Sequence, residues 1–155
     1  MKKVLMVCLG NICRSPMAQG ILDSKIKEQG LNVSVDSVGT ASYHIDQNPD
    51  PRATAKAEEH DIDISLYRGR QISTADFDEF DYIYVMDNYN YQDVLNITRD
   101  EEDKKKVKMI LNKIFPDQDM SVPDPYYGGE EGFENVYQLL DKACDKIIEE
   151  LTYEI

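Results

Sequence analysis

A parallel, doubly wound α/β sheet with helices on both faces is the fold this sequence predicts, and three observations predict it. Val4-Leu5-Met6-Val7 is an unbroken apolar run, which suits a strand buried on both faces better than an alternating surface strand. Two further strand-like segments follow, and helical periodicities lie between them. Strands alternating with helices give a parallel sheet covered on both sides.

Taken in order, the first strand ends at Cys8 and is followed by a polar turn at Gly10 and Asn11. Ser15 then reads as an N-cap and Pro16 as the first helical residue, with the helix running to a stop at Gly30. Asn32 to Val38 alternates as a strand does, and residues 79–86 end in a third strand. Lys108-Met109-Ile110-Leu111 is a weaker fourth strand. Pro51 to His60 and Asn88 to Ile97 read as helices. Gly132 to Leu151 is a long amphipathic one with Val136, Leu139, Leu140, Ala143, Ile147 and Leu151 inward. No linker, repeat or low-complexity tract divides the chain, so residues 1–155 are read as one domain. In sheets of this kind a ligand sits beyond the carboxyl ends of the strands, and Cys8 falls at that end of the first.

The formal net charge of −13 speaks against an exposed nucleic-acid surface, because a phosphate backbone would be repelled. The one basic run, Lys104, Lys105, Lys106 and Lys108, directly follows Asp100, Glu101, Glu102 and Asp103, as an exposed helix with internal ion pairs would. No apolar stretch approaches the roughly 20 residues that cross a bilayer, and the N-terminal run is too short for a signal peptide. Cys8, Cys13 and Cys144 form no even disulfide framework. A cytoplasmic monomer with reduced thiols, off the membrane, is the expectation. His44 and His60 share no ligand-like spacing with each other or with the cysteines, so they read as surface residues and no metal or cofactor is expected.

Cys8-Leu9-Gly10-Asn11-Ile12-Cys13-Arg14-Ser15 lies between a buried strand and a helix N-terminus. Backbone N–H groups of residues 9 to 14 can turn inward around an oxyanion there, with the helix dipole adding positive potential. Gly10 and Asn11 are residue types that accept left-handed backbone. The same field favours a Cys8 thiolate, a nucleophile. Arg14 supplies a planar fork matched to two phosphoryl oxygens, and the Ser15 hydroxyl can donate to the Cys8 sulfur. Cys13 reads as packing or, under oxidation, as a disulfide partner that spares Cys8.

In Val122-Pro123-Asp124-Pro125-Tyr126-Tyr127-Gly128-Gly129 the two prolines and two glycines impose a rigid turn. Asp124 is thereby held in place, a candidate to protonate a leaving oxygen and then to activate water. Tyr126 and Tyr127 can wall a slot for an aromatic ring.

These two stretches resemble the signature and acid loops of the low-molecular-weight protein tyrosine phosphatases. The resemblance extends through Pro49-Asp50-Pro51-Arg52-Ala53, Arg70-Gln71-Ile72, Asp76-Phe77 with Phe80-Asp81, and Met86-Asp87. It implies a four-stranded parallel sheet and hydrolysis of phosphotyrosine proteins or small aryl phosphates to inorganic phosphate. It makes Cys8 the nucleophile, Arg14 the phosphate ligand, Asn11 the organiser of the loop, Ser15 the partner of the thiolate and Asp124 the acid. Leu9, Tyr43 and Tyr126 would line the aromatic slot, Asp87 would support the loop, and Tyr126 and Tyr127 would be candidates for regulatory phosphorylation. Gln19, Tyr67 and Asp46 depart from the family pattern, where glutamate, histidine and glycine are usual. Related arsenate reductases carry a downstream cysteine pair that is missing here, since Cys144 stands alone. Protein-arginine phosphatases usually have threonine where this chain has Ile12, which lacks the hydroxyl that would recognise a guanidinium. A binding module without catalysis would need neither Cys8 nor Asp124.

Overall fold

A computed structural model describes residues 1–127 and 129–154. Strand β1 (Lys2–Cys8) leads into α1 (Arg14–Gln29) and β2 (Val33–Gly39). Helices α2 (Pro51–Glu58) and α3 (Ala75–Glu79) precede β3 (Tyr82–Val85). Then come α4 (Asn88–Leu95), α5 (Glu101–Lys106), β4 (Val107–Met109) and α6 (Glu130–Glu154), with 3₁₀ turns at Ile110–Lys113 and Pro125–Tyr127. The four strands pair in parallel in the order β2-β1-β3-β4.

The apolar run of β1 explains the layering. Alternate residues of a strand face opposite sides, so Val4, Met6 and Cys8 join a core built with α1, α2 and α6, while Leu5 and Val7 join Phe77, Phe80, Ile83, Val85 and Val94 on the other face. Burying each of these large side chains contributes about 1.5–3 kcal/mol, and both faces claim β1, so it sits at the centre. The chain leaves β1 toward β2 on one side and later adds β3 on the other. The point where that direction reverses lies at the carboxyl end of β1, where such sheets open a crevice.

Several boundaries differ from the sequence reading. Helix α1 begins at Arg14 with Cys13 as its cap residue, and no side chain caps it. Ser15 is not the cap, because its hydroxyl is drawn instead toward Cys8 and Asn11. Gly30 does stop the helix, in left-handed backbone at φ 64°. The fourth strand, expected over Lys108–Leu111, runs instead over Val107–Met109, and Ile110 and Leu111 enter a 3₁₀ helix. Helix α5 carries the foreseen pairs Lys104–Glu101 and Lys105–Glu102, yet Asp103 is buried and clasped by Arg99. Among the described residues no helix is long and apolar enough to cross a membrane.

Candidate active site

The loop after β1 folds back over Cys8. The Asn11 N–H donates to Cys8 Sγ at 3.3 Å, and Ser15 Oγ lies 3.0 Å from the same sulfur. Asn11 adopts φ 59°, a left-handed backbone that asparagine tolerates. Its side chain, buried, donates to Ser15 Oγ at 2.8 Å and to Ser37 Oγ at 3.0 Å. Its Oδ1 accepts from the Arg70 N–H at 3.1 Å. Ser37 Oγ donates onward to Gln19 Oε1 at 2.6 Å. Gln19 thus belongs to the network behind the loop, and Ser37 is a member that the sequence reading did not identify.

Gly10 is not in left-handed backbone, contrary to expectation; Gly30 alone among the described glycines is. Its role is room: a Cβ at Gly10 would stand 3.0 Å from His44 Cδ2. His44, expected on the surface, lies half-buried with that ring edge over the loop. Gln47 Oε1 holds its Nδ1 at 2.8 Å. The segment around it is pinned by Asp46 N donating to Gly69 O and Gly69 N donating to Gln47 O, both at 2.8 Å. Side chains at Gly69 are excluded, since a Cβ would meet His44 O at 2.1 Å. Asp46 stands at φ 64°, which explains on steric grounds why a glycine suits that position.

Arg14 is almost fully buried, 3% exposed, and its guanidinium is held from two segments. Nη1 donates to Asp87 Oδ2 at 2.7 Å and to Val122 O at 3.0 Å, while Nη2 faces Asp124 Oδ2 at 3.9 Å. Burial opposes the charge, but the neighbouring Cys8, Asp87 and Asp124 outweigh it and raise the guanidinium above its ordinary value. Asp87 caps α4, its Oδ1 accepting from Asn90 N at 2.7 Å, so it is fixed before it meets Arg14. Asp124 is partly exposed, and its Oδ1 accepts from Tyr126 N at 3.0 Å in a tight Asx turn.

Cys8, Leu9, Gly10, Ile12, Cys13, Arg14, Tyr43, His44, Asp124 and Tyr126 line one cavity of about 240 Å³. Leu9, Tyr43 and Tyr126 stand exposed at it, as walls of an apolar slot would. Asn11 and Ser15, both buried, are brought beneath the loop; the side chain of Tyr127 lies outside the described residues. Burial, reinforced by Asp50 and Cys8, pushes the Cys13 thiol far up, so it is neutral. Cys144 packs in the core with its Sγ toward Ala18 O, and burial raises it likewise. Tyr67 is raised to about 12, mainly by burial, and His60 stacks on Tyr137 at 3.8 Å, away from this cavity. A thiol beside a buried hydroxyl, a buried guanidinium and an exposed carboxylate on one cavity are the parts needed to hold an oxyanion and transfer it.

A family model described as low molecular weight phosphotyrosine protein phosphatase matches residues 3–155. The human protein named low molecular weight phosphotyrosine protein phosphatase is 39% identical over 151 residues, covering 96% of this chain and 94% of its own length. A crystal structure of a protein tyrosine phosphatase from Entamoeba histolytica, with Hepes in its active site, superposes with a TM-score of 0.92 at 36% identity over 99% of each chain. The Drosophila arginine phosphatase superposes with a TM-score of 0.86 at 32% identity over 97% of each chain.

Proposed function

The chain belongs to the low-molecular-weight phosphotyrosine protein phosphatase family, and from that premise we propose that it hydrolyses phosphotyrosine in proteins through a phosphocysteine on Cys8. The observation that carries this reading is the convergence of Cys8, Arg14 and Asp124 on one cavity, with Ser15 Oγ 3.0 Å from Sγ. In the first step Cys8 Sγ forms a bond to phosphorus as the P–O bond breaks, and the departing phenolate oxygen takes the proton of Asp124. In the second, the Asp124 carboxylate takes a proton from water. The water oxygen bonds to phosphorus, the P–S bond breaks, and phosphate and thiolate are released. Arg14 and the loop N–H groups of residues 9 to 14 hold the phosphoryl oxygens, the Ser15 hydroxyl hydrogen-bonds the thiolate, and Leu9, Tyr43 and Tyr126 flank the substrate ring.

Residues 1–155 act in this reading as one metal-independent domain, monomeric and cytoplasmic. Because the Drosophila arginine phosphatase shares the fold, the choice of substrate rests on the site, where the aliphatic Ile12 lines the cavity and offers a guanidinium no acceptor. Assayed in EDTA, the protein is expected to turn over a phosphotyrosine peptide and p-nitrophenyl phosphate, with phosphoserine and phosphoarginine at least about tenfold slower. Preference for phosphoarginine would overturn the substrate assignment, and tight phosphotyrosine binding without turnover would indicate a binding module.

The placement of Cys13 on the same cavity as Cys8 supports a redox guard. Peroxide would convert Cys8 to a sulfenic acid, which condenses with the Cys13 S–H to a disulfide with loss of water. After peroxide, thiol titration of the unfolded protein is expected to find two fewer thiols, restored by dithiothreitol together with activity. Activity lost with Cys13 still free would refute the guard.

A further inference from the structure

A strut ties the proton-donor loop to the phosphate loop, and the proposed chemistry makes no use of it. It starts at the loop, where Ile12 O accepts from Asp50 N at 2.8 Å. Asp50 is the N-cap of α2, with Pro51 behind it, so its direction is set by the helix start. Both of its carboxylate oxygens clasp one side of Arg52, Oδ1 accepting from Nε at 3.1 Å and Oδ2 from Nη2 at 3.0 Å. Nη1 is left to point away from the clasp, and it donates to Tyr126 O at 2.9 Å. The guanidinium lies 5.1 Å from the Tyr126 ring centre and 4.9 Å from that of Phe133. Tyr126 in turn gives its N–H to Asp124 Oδ1.

Arg52 does not line the cavity, and its side chain is 45% exposed, so substrate contact does not account for this arrangement, and packing on the buried Phe133 ring does not explain its hydrogen bonds to Asp50 and Tyr126. Holding a half-exposed arginine in one geometry opposes its rotamer entropy. Here a carboxylate fork, a backbone carbonyl and two rings fix it together. A lysine offers a single point charge and cannot span the clasp and the carbonyl at once. Charge alone is therefore not what the position requires.

We propose that Arg52 is a positioning residue that acts through Tyr126 to hold Asp124 in line with Cys8, so that a phosphate loop and an acid loop far apart in sequence keep a fixed spacing. This rests on the reading of Asp124 as proton donor. Without Arg52 the turn around Asp124 loses its anchor, and a smaller share of molecules presents the acid to the leaving oxygen. The loss must then grow with the basicity of the leaving group, because a nitrophenolate leaves without much help and a plain phenolate does not.

The test compares wild type, Arg52→Gln, Arg52→Lys, Asp124→Ala and the double variant Arg52→Gln/Asp124→Ala. The readouts are kcat/KM on p-nitrophenyl phosphate and phenyl phosphate and the inhibition constant of inorganic phosphate. Arg52→Gln is expected to lose on the order of tenfold on phenyl phosphate, under about threefold on p-nitrophenyl phosphate, and nothing in phosphate inhibition. Arg52→Lys is expected to resemble Arg52→Gln, and Arg52→Gln is expected to add nothing once Asp124 is alanine. Equal losses on both substrates, weakened phosphate inhibition, wild-type behaviour of Arg52→Lys, or an additive loss in the double variant would overturn the strut. An Asp124→Ala protein with no leaving-group dependence would instead overturn the proton-donor reading, and the strut's purpose with it.

Discussion

Replacing Cys8 by serine is expected to lower turnover of phosphotyrosine peptides and p-nitrophenyl phosphate by about 10⁴-fold or more, while inorganic phosphate binds within about twofold of wild type. The two halves of that expectation have separate causes. A serine hydroxyl needs a general base, and the groups bonded to the position are the Ser15 hydroxyl and the Asn11 N–H, neither of which accepts a proton at neutral pH. Phosphate, by contrast, is assigned in the proposed mechanism to Arg14 and the loop N–H groups, which the substitution leaves in place. Steady-state hydrolysis and competition by phosphate measure the two halves independently. A variant within about tenfold of the wild-type rate would remove the covalent route.

Arg14→Lys is expected to differ in that phosphate affinity is lost along with about 10²–10⁴-fold in kcat/KM. Lysine keeps the charge, but one ammonium cannot reach Asp87 Oδ2, Val122 O and two phosphoryl oxygens together. Asp87 and the buried Val122 carbonyl are then left short of a donor, at a cost of about 1–3 kcal/mol in stability. Thermal unfolding and phosphate inhibition of the same preparation read these effects side by side. Undiminished phosphate affinity in the lysine variant would mean that a point charge is enough and the fork is not used.

What could be read from the sequence follows from how local each cause is. β1 was legible because a strand claimed by two cores carries its burial in consecutive apolar residues. The short β4 was not well bounded, because Met109 to Leu111 is an apolar run that a strand and a 3₁₀ turn fit equally, and only pairing to β3 decides. The start of α1 was misplaced because Ser15 looks like a cap until its hydroxyl is seen to be taken by the site. Cys8, Arg14 and Asp124 stood out through spacing and flanking residues. His44, Ser37 and Arg52 did not, because their significance comes from partners distant in the chain, 26 residues for Asn11 to Ser37 and 74 for Arg52 to Tyr126. Gln19 was seen as a departure but not as a member of the loop network, since its partner Ser37 lies on another element.

The grip on Arg14 reaches across 73 residues to Asp87 and 108 to Val122, and this sets a schedule for folding. Contacts that close such long stretches of chain carry a large loop entropy and are made only after nearer pairings have condensed. The guanidinium is therefore expected to be oriented only in molecules whose last segments have docked, since two of its partners, Asp87 and Val122, lie beyond β3. In a refolding experiment, recovery of hydrolysis is expected to lag the recovery of helix signal, and coincident recovery of the two would refute this order.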